Sequence, residues 1–294
     1  MSVLSKGIIL AGGSGSRLFP MTHGISKQLL PVYDKPMIYY PLSILMELGI
    51  REILIIVNPE NYNNYTELFK NSSRLGLKIK YKVQEKPEGI AQSFLIAENF
   101  IGKDNICLIL GDNIFYGKNL MISLKQGIEN LRENFSSIVG VDIDKPNDFG
   151  VIEFDKNNKM SSIIEKPEKH ISNTIVSGLY FYNNDVIKYA KQLSPSERGE
   201  LEITDINNRF LKNNKLKLII LEKEVSWIDT GTFGALIKAS KFFQELESKT
   251  GFKAACIEEI SYRLKYIDRS ELFLIAKSMN KSDYGIYLSN IIKK

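Results

Sequence analysis

The stretch KGIILAGGSGSRL, residues 6–18, joins a short apolar run to a turn with three glycines. Residues 6–10 have the length and composition of a buried β-strand, and the glycines let the backbone turn sharply behind it. Backbone amides in such a turn can converge on phosphate oxygens, and the guanidinium of Arg17 can hold the same group. The stretch therefore predicts the first strand of an α/β fold, followed by a phosphate-binding turn.

Two common nucleotide-binding patterns do not fit this turn. Phosphate-loop ATPases need lysine where Gly13 stands, and the dinucleotide-binding pattern needs glycine where Leu18 stands. No acidic residue ends the second expected strand at Val57, where a dinucleotide-binding enzyme would hold a ribose. Both classes are disfavoured, while a turn that serves the backbone conformation alone remains an alternative.

Apolar runs alternate with helix-like segments through the first half of the chain. Each helix-like segment is long enough to connect neighbouring parallel strands by a right-handed crossover. The alternation predicts a Rossmann-like α/β fold, with a mixed, mainly parallel sheet flanked by helices and with ligands at the carboxyl ends of the strands. The expected strands are residues 6–10, 52–57, 77–83, 106–110 and 137–142, and the expected helices are 39–48, 62–69, 90–100 and 120–133.

The pattern changes after residue 142. Closely spaced strands indicate antiparallel additions to the same sheet, and from residue 232 onward the pattern is helical. We therefore expect a core over residues 1–231 and a helical C-terminal subdomain over 232–294 that packs on it. The strands are expected at 150–154, 160–164, 175–182, 216–221 and 226–228, and the helices at 184–192, 232–246, 257–263, 270–279 and 284–292.

Charge and scarce residue types exclude several function classes. With 39 Lys and Arg against 34 Asp and Glu the net charge is +5, and no basic run marks a nucleic-acid or lipid surface. No stretch approaches the ~20 apolar residues of a membrane helix. Two distant cysteines, Cys107 and Cys256, cannot build a disulfide framework and favour a reducing cytoplasm. Because the chain has two histidines, any metal is expected to be hard and oxygen-bound.

Two aspartates stand where a magnesium ion could bind. Asp112 follows the expected strand 106–110 through a glycine, and Asp229 ends a short strand before a Thr-Gly-Thr turn. Two carboxylates together with triphosphate oxygens would satisfy Mg²⁺. Either aspartate could instead cap the next turn. Asp142 and Asp144 form a competing Asp-x-Asp pattern, but the polar turn that follows them makes this pair the weaker metal candidate.

Further motifs occur along nearly the whole chain. They are SKQLLPVYDKPMIYYPLS (26–43), QEKPEGIAQ (84–92), LGDN (110–113), EKP (165–167), GLY (178–180), RGELEITD (198–205) and WIDTGT (227–232). Together with the turn at 12–18, and in this order, they resemble the motifs of the sugar-1-phosphate nucleotidyltransferases. The likeness is strongest to the members that use a thymidine nucleotide and glucose 1-phosphate.

The resemblance implies three groups of site residues and a metal pair. The cations that would bind and align phosphates are Arg17, Lys27 and Lys166. The residues that would hold the nucleotide are Gly12, Gly13, Gly15, Gln28, Gln84, Gly89 and Asp112. The residues that would hold the sugar are Asn113, Gly150, Glu165, Val176, Tyr180 and Trp227. Asp112 and Asp229 would hold Mg²⁺. Without the resemblance, Glu-Lys-Pro at 165–167 would be read as a surface turn, and Tyr180 and Trp227 could equally be core aromatics.

The resemblance also implies the reaction. The enzyme would convert dTTP and glucose 1-phosphate to dTDP-glucose and pyrophosphate, with magnesium. It would be a cytoplasmic homotetramer that is inhibited by a downstream dTDP-sugar. The product would enter dTDP-rhamnose and polysaccharide synthesis. Two alternatives remain: a uridylyltransferase or other sugar-1-phosphate nucleotidyltransferase, and a noncatalytic regulatory homologue. The second should have lost catalytic charges, and this chain has Arg17, Lys27, Asp112, Lys166 and Asp229.

Overall fold

The computed structural model of the chain describes residues 3–293, so Met1, Ser2 and Lys294 of the expected divisions lie outside it. Strands β1–β13 span Lys6–Ala11, Pro31–Val32, Lys35–Pro36, Glu52–Val57, Lys78–Val83, Ile106–Leu110, Asn113–Tyr116, Ser136–Asp142, Gly150–Phe154, Met160–Glu165, Thr174–Tyr182, Leu216–Ile220 and Ser226–Asp229. Helices α1–α11 span Tyr39–Glu47, Tyr62–Leu68, Gln92–Ile96, Glu98–Ile101, Leu120–Arg132, Asp185–Ala190, Ile203–Lys212, Phe233–Thr250, Ile257–Arg263, Arg269–Ser278 and Asp283–Lys293.

The central sheet has the strand order β12-β8-β11-β6-β1-β4-β5, and the hairpin β9–β10 pairs with the beginning of β11. Strand β1 is parallel to β4 and β6, β4 is parallel to β5, and β12 is parallel to β8. Strand β11 runs antiparallel to both β6 and β8. The expected mixed, mainly parallel α/β fold is confirmed.

The inner parallel strands β1, β4 and β6 are mostly apolar on both faces because helices cover the sheet on both sides. Along β1, Ile8 packs in one layer with Phe94 and Phe210, and Ile9 packs in the other with Leu42. Both isoleucines are fully buried. The alternation of side chains along a strand therefore turns one apolar run into two hydrophobic cores.

Two of the expected strand pairings were wrong. Strand β12 joins the sheet parallel to β8, not antiparallel. It follows the helix α7, which makes the crossover that a parallel neighbour requires. Strand β13 leaves the main sheet and pairs with β7, a strand of four residues that the sequence did not predict. Four residues that directly follow a longer apolar strand give no separate periodic signal.

Two helices also differ from expectation. Helix α7 was not predicted, because four of its ten residues, Thr204, Asp205, Asn207 and Asn208, are polar and have low helix propensity. It forms because Ile203, Ile206 and Phe210 share one face and are buried in the core. The helix expected at 90–100 is divided into α3 and α4 by a tight turn in which two amides donate to the carbonyl of Ala97.

The C-terminal helices pack against α1 and against the β2–β3 hairpin. The ring of Phe243 in α8 lies 4.5 Å from that of Tyr40 in α1. The buried ammonium of Lys253 lies 2.8 Å from a carboxylate oxygen of Asp34 in the hairpin turn and 2.6 Å from one of Glu247 in α8. The division into a core over 1–231 and a subdomain over 232–294 stays a prediction. Within residues 3–293 no helix combines the length and apolar character that crossing a bilayer requires.

Glycine 127 sits in α5 where the helix meets β11. A Cβ atom built there would lie 2.5 Å from a ring carbon of Phe181, whose side chain is fully buried. We expect Gly127→Ala to lower the free energy of unfolding by about 1–3 kcal/mol, because this ring has no space to move into.

Gly234→Ala in α8 is the matched control, since nothing lies within 4 Å of its Cβ position. There the gain in helix propensity should stabilise the protein by up to about 1 kcal/mol. Urea denaturation of both variants measures the difference. Equal stability of the two would contradict the packing argument.

Candidate active site

The candidate site lies where parallel strands end at one edge of the sheet. The amide of Gly111, just after β6, donates to the carbonyl of Leu10 in β1 at 2.9 Å. The amide of Gln84, just after β5, donates to the carbonyl of Val57 in β4 at 2.8 Å. These bonds bring the glycine turn after β1, Gln84 and Asp112 to the same edge, as the parallel order requires.

Two of the three positions in the glycine turn require glycine for steric or conformational reasons. A Cβ atom on Gly12 would lie 2.2 Å from Oε1 of Gln84, so only glycine lets this amide lie against the turn. Gly15 has a φ of 64°, and its carbonyl accepts a 2.8 Å hydrogen bond from the hydroxyl of Thr22. Nothing lies within 4 Å of the Cβ position of Gly13, so the backbone there is open to a ligand.

Pairing of β7 with β13 brings the two candidate metal ligands together. Asp229 is opposite Asn113 in this ladder, and therefore beside Asp112. The ammonium of Lys27 lies 2.6 Å from Oδ2 of Asp112 and 4.0 Å from Oδ1 of Asp229. The hydroxyl of Thr230 donates to the Asp112 carbonyl at 2.7 Å and holds the turn after β13 in place. Lys27, expected to hold phosphate, thus pairs with the carboxylates.

The two carboxylates have opposite electrostatic environments. Burial by itself would raise the pKa of Asp112, but the ammonium of Lys27 and the amide of Asn113 outweigh it and lower that pKa. The pKa of Asp229 is raised, by burial and then by the negative charge of Asp112, against the opposing charges of Lys27 and Arg17. Two carboxylates thus share one ammonium, which already occupies the position of a cation between them.

The donor set fits a hard metal ion. Both aspartates offer oxygen atoms, which Mg²⁺ prefers, and their mutual repulsion is relieved by a cation. Across residues 3–293 no cluster of three or more His, Cys, Asp or Glu side chains is arranged to hold a metal. A pair of carboxylates suits an ion that keeps waters and takes the rest of its ligands from substrate phosphates.

The remaining cations lie at the rim of the site. The exposed side chain of Arg17 lies along Gly231, whose Cβ position is 2.9 Å from Nη2 of the guanidinium. Lys166 follows β10 directly, with a φ of 43° and an exposed side chain. Its amide donates to the carbonyl of Phe149 at 3.0 Å, which closes the β9–β10 pair. Both side chains can therefore reach an anion in the solvent.

Glu165 ends β10 opposite Gly150, the first residue of β9. Its Oε2 accepts a 2.6 Å hydrogen bond from Thr204, and its Oε1 lies 3.3 Å from Nη2 of Arg198. A Cβ atom on Gly150 would lie 3.3 Å from the same carboxylate. Arg198 and Thr204 belong to the RGELEITD motif, but the sequence alone assigned neither residue a role. This motif was the sequence signal from which they could have been identified.

The remaining expected sugar residues divide into a polar and an apolar group. The indole nitrogen of Trp227 donates to Oδ1 of Asn113 at 2.7 Å, and Asn113 donates to Asp112 at 3.1 Å. The ring of Trp227 also lies 5.4 Å from that of Phe149, so it connects the carboxylate pair with the start of β9. Val176 and Tyr180 are buried, and the ring of Tyr180 stacks on Tyr182 at 5.7 Å. For Tyr180, packing in the core accounts for its position.

The two residues expected to read the nucleotide base, Gln84 and Gly89, both contact other parts of the protein. Gln84 is buried, and its amide nitrogen donates to Oε1 of Gln92 at 2.6 Å. Gly89 has a φ of 101°, and its Cβ position lies 2.4 Å from the carbonyl oxygen of Leu201. Close packing of two loops therefore explains this glycine without a ligand. Contact with a base stays a prediction for both residues.

Gln28 and the competing candidate Asp142 lie in different parts of the fold. Gln28 packs on the turn before Asp112, since a Cβ atom on Gly111 would lie 2.9 Å from its Cγ. The competing candidate Asp142 lies at the end of β8, where its Oδ1 accepts a 2.6 Å hydrogen bond from the hydroxyl of Thr174. Gln28 is therefore next to the carboxylate pair, while Asp142 serves the β8–β11 ladder.

Comparison with known proteins agrees with this architecture. A crystal structure from Bacillus anthracis, described as a glucose-1-phosphate thymidylyltransferase in complex with a sucrose, has a TM-score of 0.74 and 37% identity over 81% of this chain and 94% of that chain. The crystal structure of a UDP-glucose pyrophosphorylase complexed with UDP-glucose has a TM-score of 0.73 over 83% and 99% of the two chains. At 23% identity, the latter shows a shared fold only.

Sequence relatives cover the chain almost completely. The Nucleotidyl transferase family model matches residues 6–245. The chain is 48% identical to glucose-1-phosphate thymidylyltransferase of Neisseria meningitidis, over 98% of this chain and 100% of that protein. It is 46% identical to the enzyme of the same name from Mycobacterium tuberculosis, over 98% and 99% of the two chains. The chain therefore belongs to the nucleotidyl transferase family, among its glucose-1-phosphate thymidylyltransferases.

Proposed function

We propose that the protein makes dTDP-glucose and pyrophosphate from dTTP and glucose 1-phosphate by direct displacement at the α-phosphate. The observation that carries the proposal is the pair Asp112 and Asp229, which share the ammonium of Lys27 at the sheet edge beside the glycine turn. This arrangement suits a polyphosphate that arrives with its counter-ion. Among members of this family, close relatives named for this reaction support the choice of substrates.

A divalent metal ion is consistent with this family, and we propose that it is Mg²⁺ held by Asp112 and Asp229. When bound there, the ion would supply positive charge against the triphosphate oxygens. The protein's own part is to keep two carboxylates ionised at one place in spite of their repulsion. The ammonium of Lys27 does this by neutralising part of their charge, which also lets an anionic triphosphate approach them.

Positioning by the chain's own residues accounts for the rest of the proposed mechanism. The open backbone at Gly13 would donate amide hydrogens to the triphosphate, and Arg17 would stabilise the departing pyrophosphate. Lys166 would align the phosphate of the sugar, while Glu165 would accept a sugar hydroxyl. An oxygen of glucose 1-phosphate is already anionic near neutral pH, so the attack needs no general base. The buried thiols Cys107 and Cys256 have no part in it.

The family relation supports further proposals about the assembly and its regulation. We propose a cytoplasmic homotetramer, with feedback inhibition by a downstream dTDP-sugar and a product used for dTDP-rhamnose and polysaccharide synthesis. Neither alternative from the sequence is favoured. The relatives at 46–48% identity are named for thymidylyl transfer, whereas the UDP-glucose pyrophosphorylase shares only the fold. A noncatalytic homologue would have no need to keep all five charged residues of the site.

The proposed activity is tested by pyrophosphate release from glucose 1-phosphate with dTTP, UTP, CTP, ATP or GTP in turn. We expect dTTP to give the highest kcat/KM, and omission of the sugar phosphate to abolish release because the displacement is direct. The product is identified by chromatography against dTDP-glucose. A higher kcat/KM with any other triphosphate would reassign the nucleotide.

The carboxylate pair is tested by Asp112→Asn and Asp229→Asn. Each should lower kcat by about 10²-fold, as expected when an electrostatic stabiliser is lost. Asp142→Asn is the control, because that carboxylate bonds to Thr174 outside the site, and its kcat should stay within about twofold.

Thermal unfolding separates chemistry from stability in the same variants. Asp229→Asn should keep or raise the melting temperature, since burial and Asp112 make the ionised form of Asp229 unfavourable. Asp112→Asn should lower it, because Lys27 loses its partner. Loss of activity only in the Asp142 variant would mean that the metal is bound elsewhere.

The two exposed cations should give separable defects. Lys166→Ala should raise KM for glucose 1-phosphate about tenfold, and Arg17→Ala should raise KM for pyrophosphate in the reverse reaction by a similar factor. Lys169→Ala, three residues beyond Lys166 and also exposed, is the control and should change neither constant. Unchanged constants in both test variants would remove these cations from the phosphate sites.

A further inference from the structure

Three buried polar side chains form a hydrogen-bonded cluster behind the carboxylate pair. The hydroxyl of Ser26 lies 2.7 Å from Oε1 of Gln28 and 2.8 Å from the hydroxyl of Tyr65 in α2. The hydroxyl of Tyr65 also lies 3.4 Å from Oε1 of Gln28. Ser26 and Tyr65 are only 3% and 0% exposed, so water does not complete the hydrogen bonds of their hydroxyls. The cluster has to satisfy its own donors.

Proton counting decides which way the amide of Gln28 is turned. With Oε1 inward, the Tyr65 hydroxyl donates to Ser26, and the Ser26 hydroxyl donates to Oε1, so both hydroxyl protons have acceptors. With Nε2 inward, Gln28 offers no acceptor, and the single contact between the two hydroxyl oxygens can hold only one of their two protons. One hydroxyl proton would then be buried without a partner, at a cost of about tenfold or more in the equilibrium between the two orientations.

Hydrogen bonds to the segment at the start of α2 hold the cluster in place. The backbone amide of Ser26 donates to Oδ1 of Asn61 at 2.7 Å, and that oxygen also accepts from Asn64 in α2 at 3.2 Å. Ser26 is therefore held through both its backbone and its side chain. The start of α2 sets the position of the 3₁₀ turn Lys27–Leu29, which contains Gln28.

The outward group of Gln28 is a hydrogen-bond donor. Among residues 3–293 the protons of Nε2 have no acceptor, and this nitrogen is not enclosed in the protein. The stem of Gln28 lies on Gly111, one residue before Asp112. The free donor therefore belongs to the edge of the sheet at which we place the nucleotide.

We propose that Ser26 and Tyr65 are positioning residues that hold the carbonyl of Gln28 inward, so that Nε2 donates a hydrogen bond to an acceptor oxygen of the bound nucleotide. The proposal rests on the proposed nucleotidyl transfer and adds the residues that set the polarity of this contact. Neither hydroxyl touches the ligand. Their effect on the nucleotide is transmitted entirely through the Gln28 amide.

A double-mutant cycle tests the proposal by binding, without turnover. The dissociation constant of dTTP with MgCl₂ and no sugar phosphate is measured by titration calorimetry for wild type, Ser26→Ala, Gln28→Ala and the double variant. Ser26→Ala should weaken binding about fivefold to tenfold, and Tyr65→Phe should weaken it in the same direction by less. In the Gln28→Ala background Ser26→Ala should have no further effect beyond twofold.

The control is Ser261→Ala, which removes an equally buried hydroxyl that bonds to the carbonyl of Leu75 in another part of the fold. It should cost stability but leave the dTTP dissociation constant unchanged. Full additivity of Ser26→Ala and Gln28→Ala, or unchanged binding in Ser26→Ala, would overturn the positioning role, because a general structural defect does not depend on Gln28.

Failure of the proposed function gives a different result. If wild type binds another triphosphate more tightly than dTTP, or binds dTTP without making dTDP-glucose, the substrate assignment is wrong. The cycle repeated with the tighter ligand then still decides the role of Ser26 and Tyr65. If no nucleoside triphosphate binds to wild type, both proposals are overturned together.

Discussion

The ion pair between Lys27 and Asp112 is the constraint on which the candidate site depends. It joins a 3₁₀ turn that follows the glycine loop to the carboxyl end of β6, across 85 residues of chain. Asp229 enters the same cluster through the β7–β13 ladder. The backbone of all three segments is arranged so that two partly buried negative charges can share one positive charge.

That arrangement leaves the site with one negative charge more than positive among its three inner groups. The consequence is visible in the raised pKa of Asp229, which carries the unfavourable part of the balance. A site of this kind is less stable than a neutral one would be, and it has a standing affinity for cations. The positive charges of Arg17 and Lys166 lie on exposed side chains at the rim of the site, where they are open to solvent.

The sequence predicted the parallel part of the sheet because strands such as β4 and β6 are uniformly apolar and flanked by turn signals. It also placed the glycine turn and Asp112 at the correct edge, since both directly follow such strands. It did not predict β7, whose partner β13 is more than a hundred residues away, nor α7, whose helicity depends on burial of Phe210. Both elements form because of tertiary contacts, and local sequence propensity does not predict such contacts.

The same dependence on tertiary contacts determines which residues of the site the sequence could predict. Motifs identified side chains such as Gln28 and Glu165, but not the groups that orient them. Tyr65 is 39 residues from Ser26, and Thr204 is 39 residues from Glu165, and each reaches its partner from a helix on a different layer of the sheet. The contact between Lys253 and Asp34 spans 219 residues of chain and has a further consequence. It buries an ammonium from the C-terminal helical segment against the hairpin that follows Lys27, so the helices beyond residue 232 are not a detachable appendage. A chain cut before them would leave the Asp34 carboxylate and the apolar surface around Tyr40 open to water, in the segment that directly follows the turn containing Lys27.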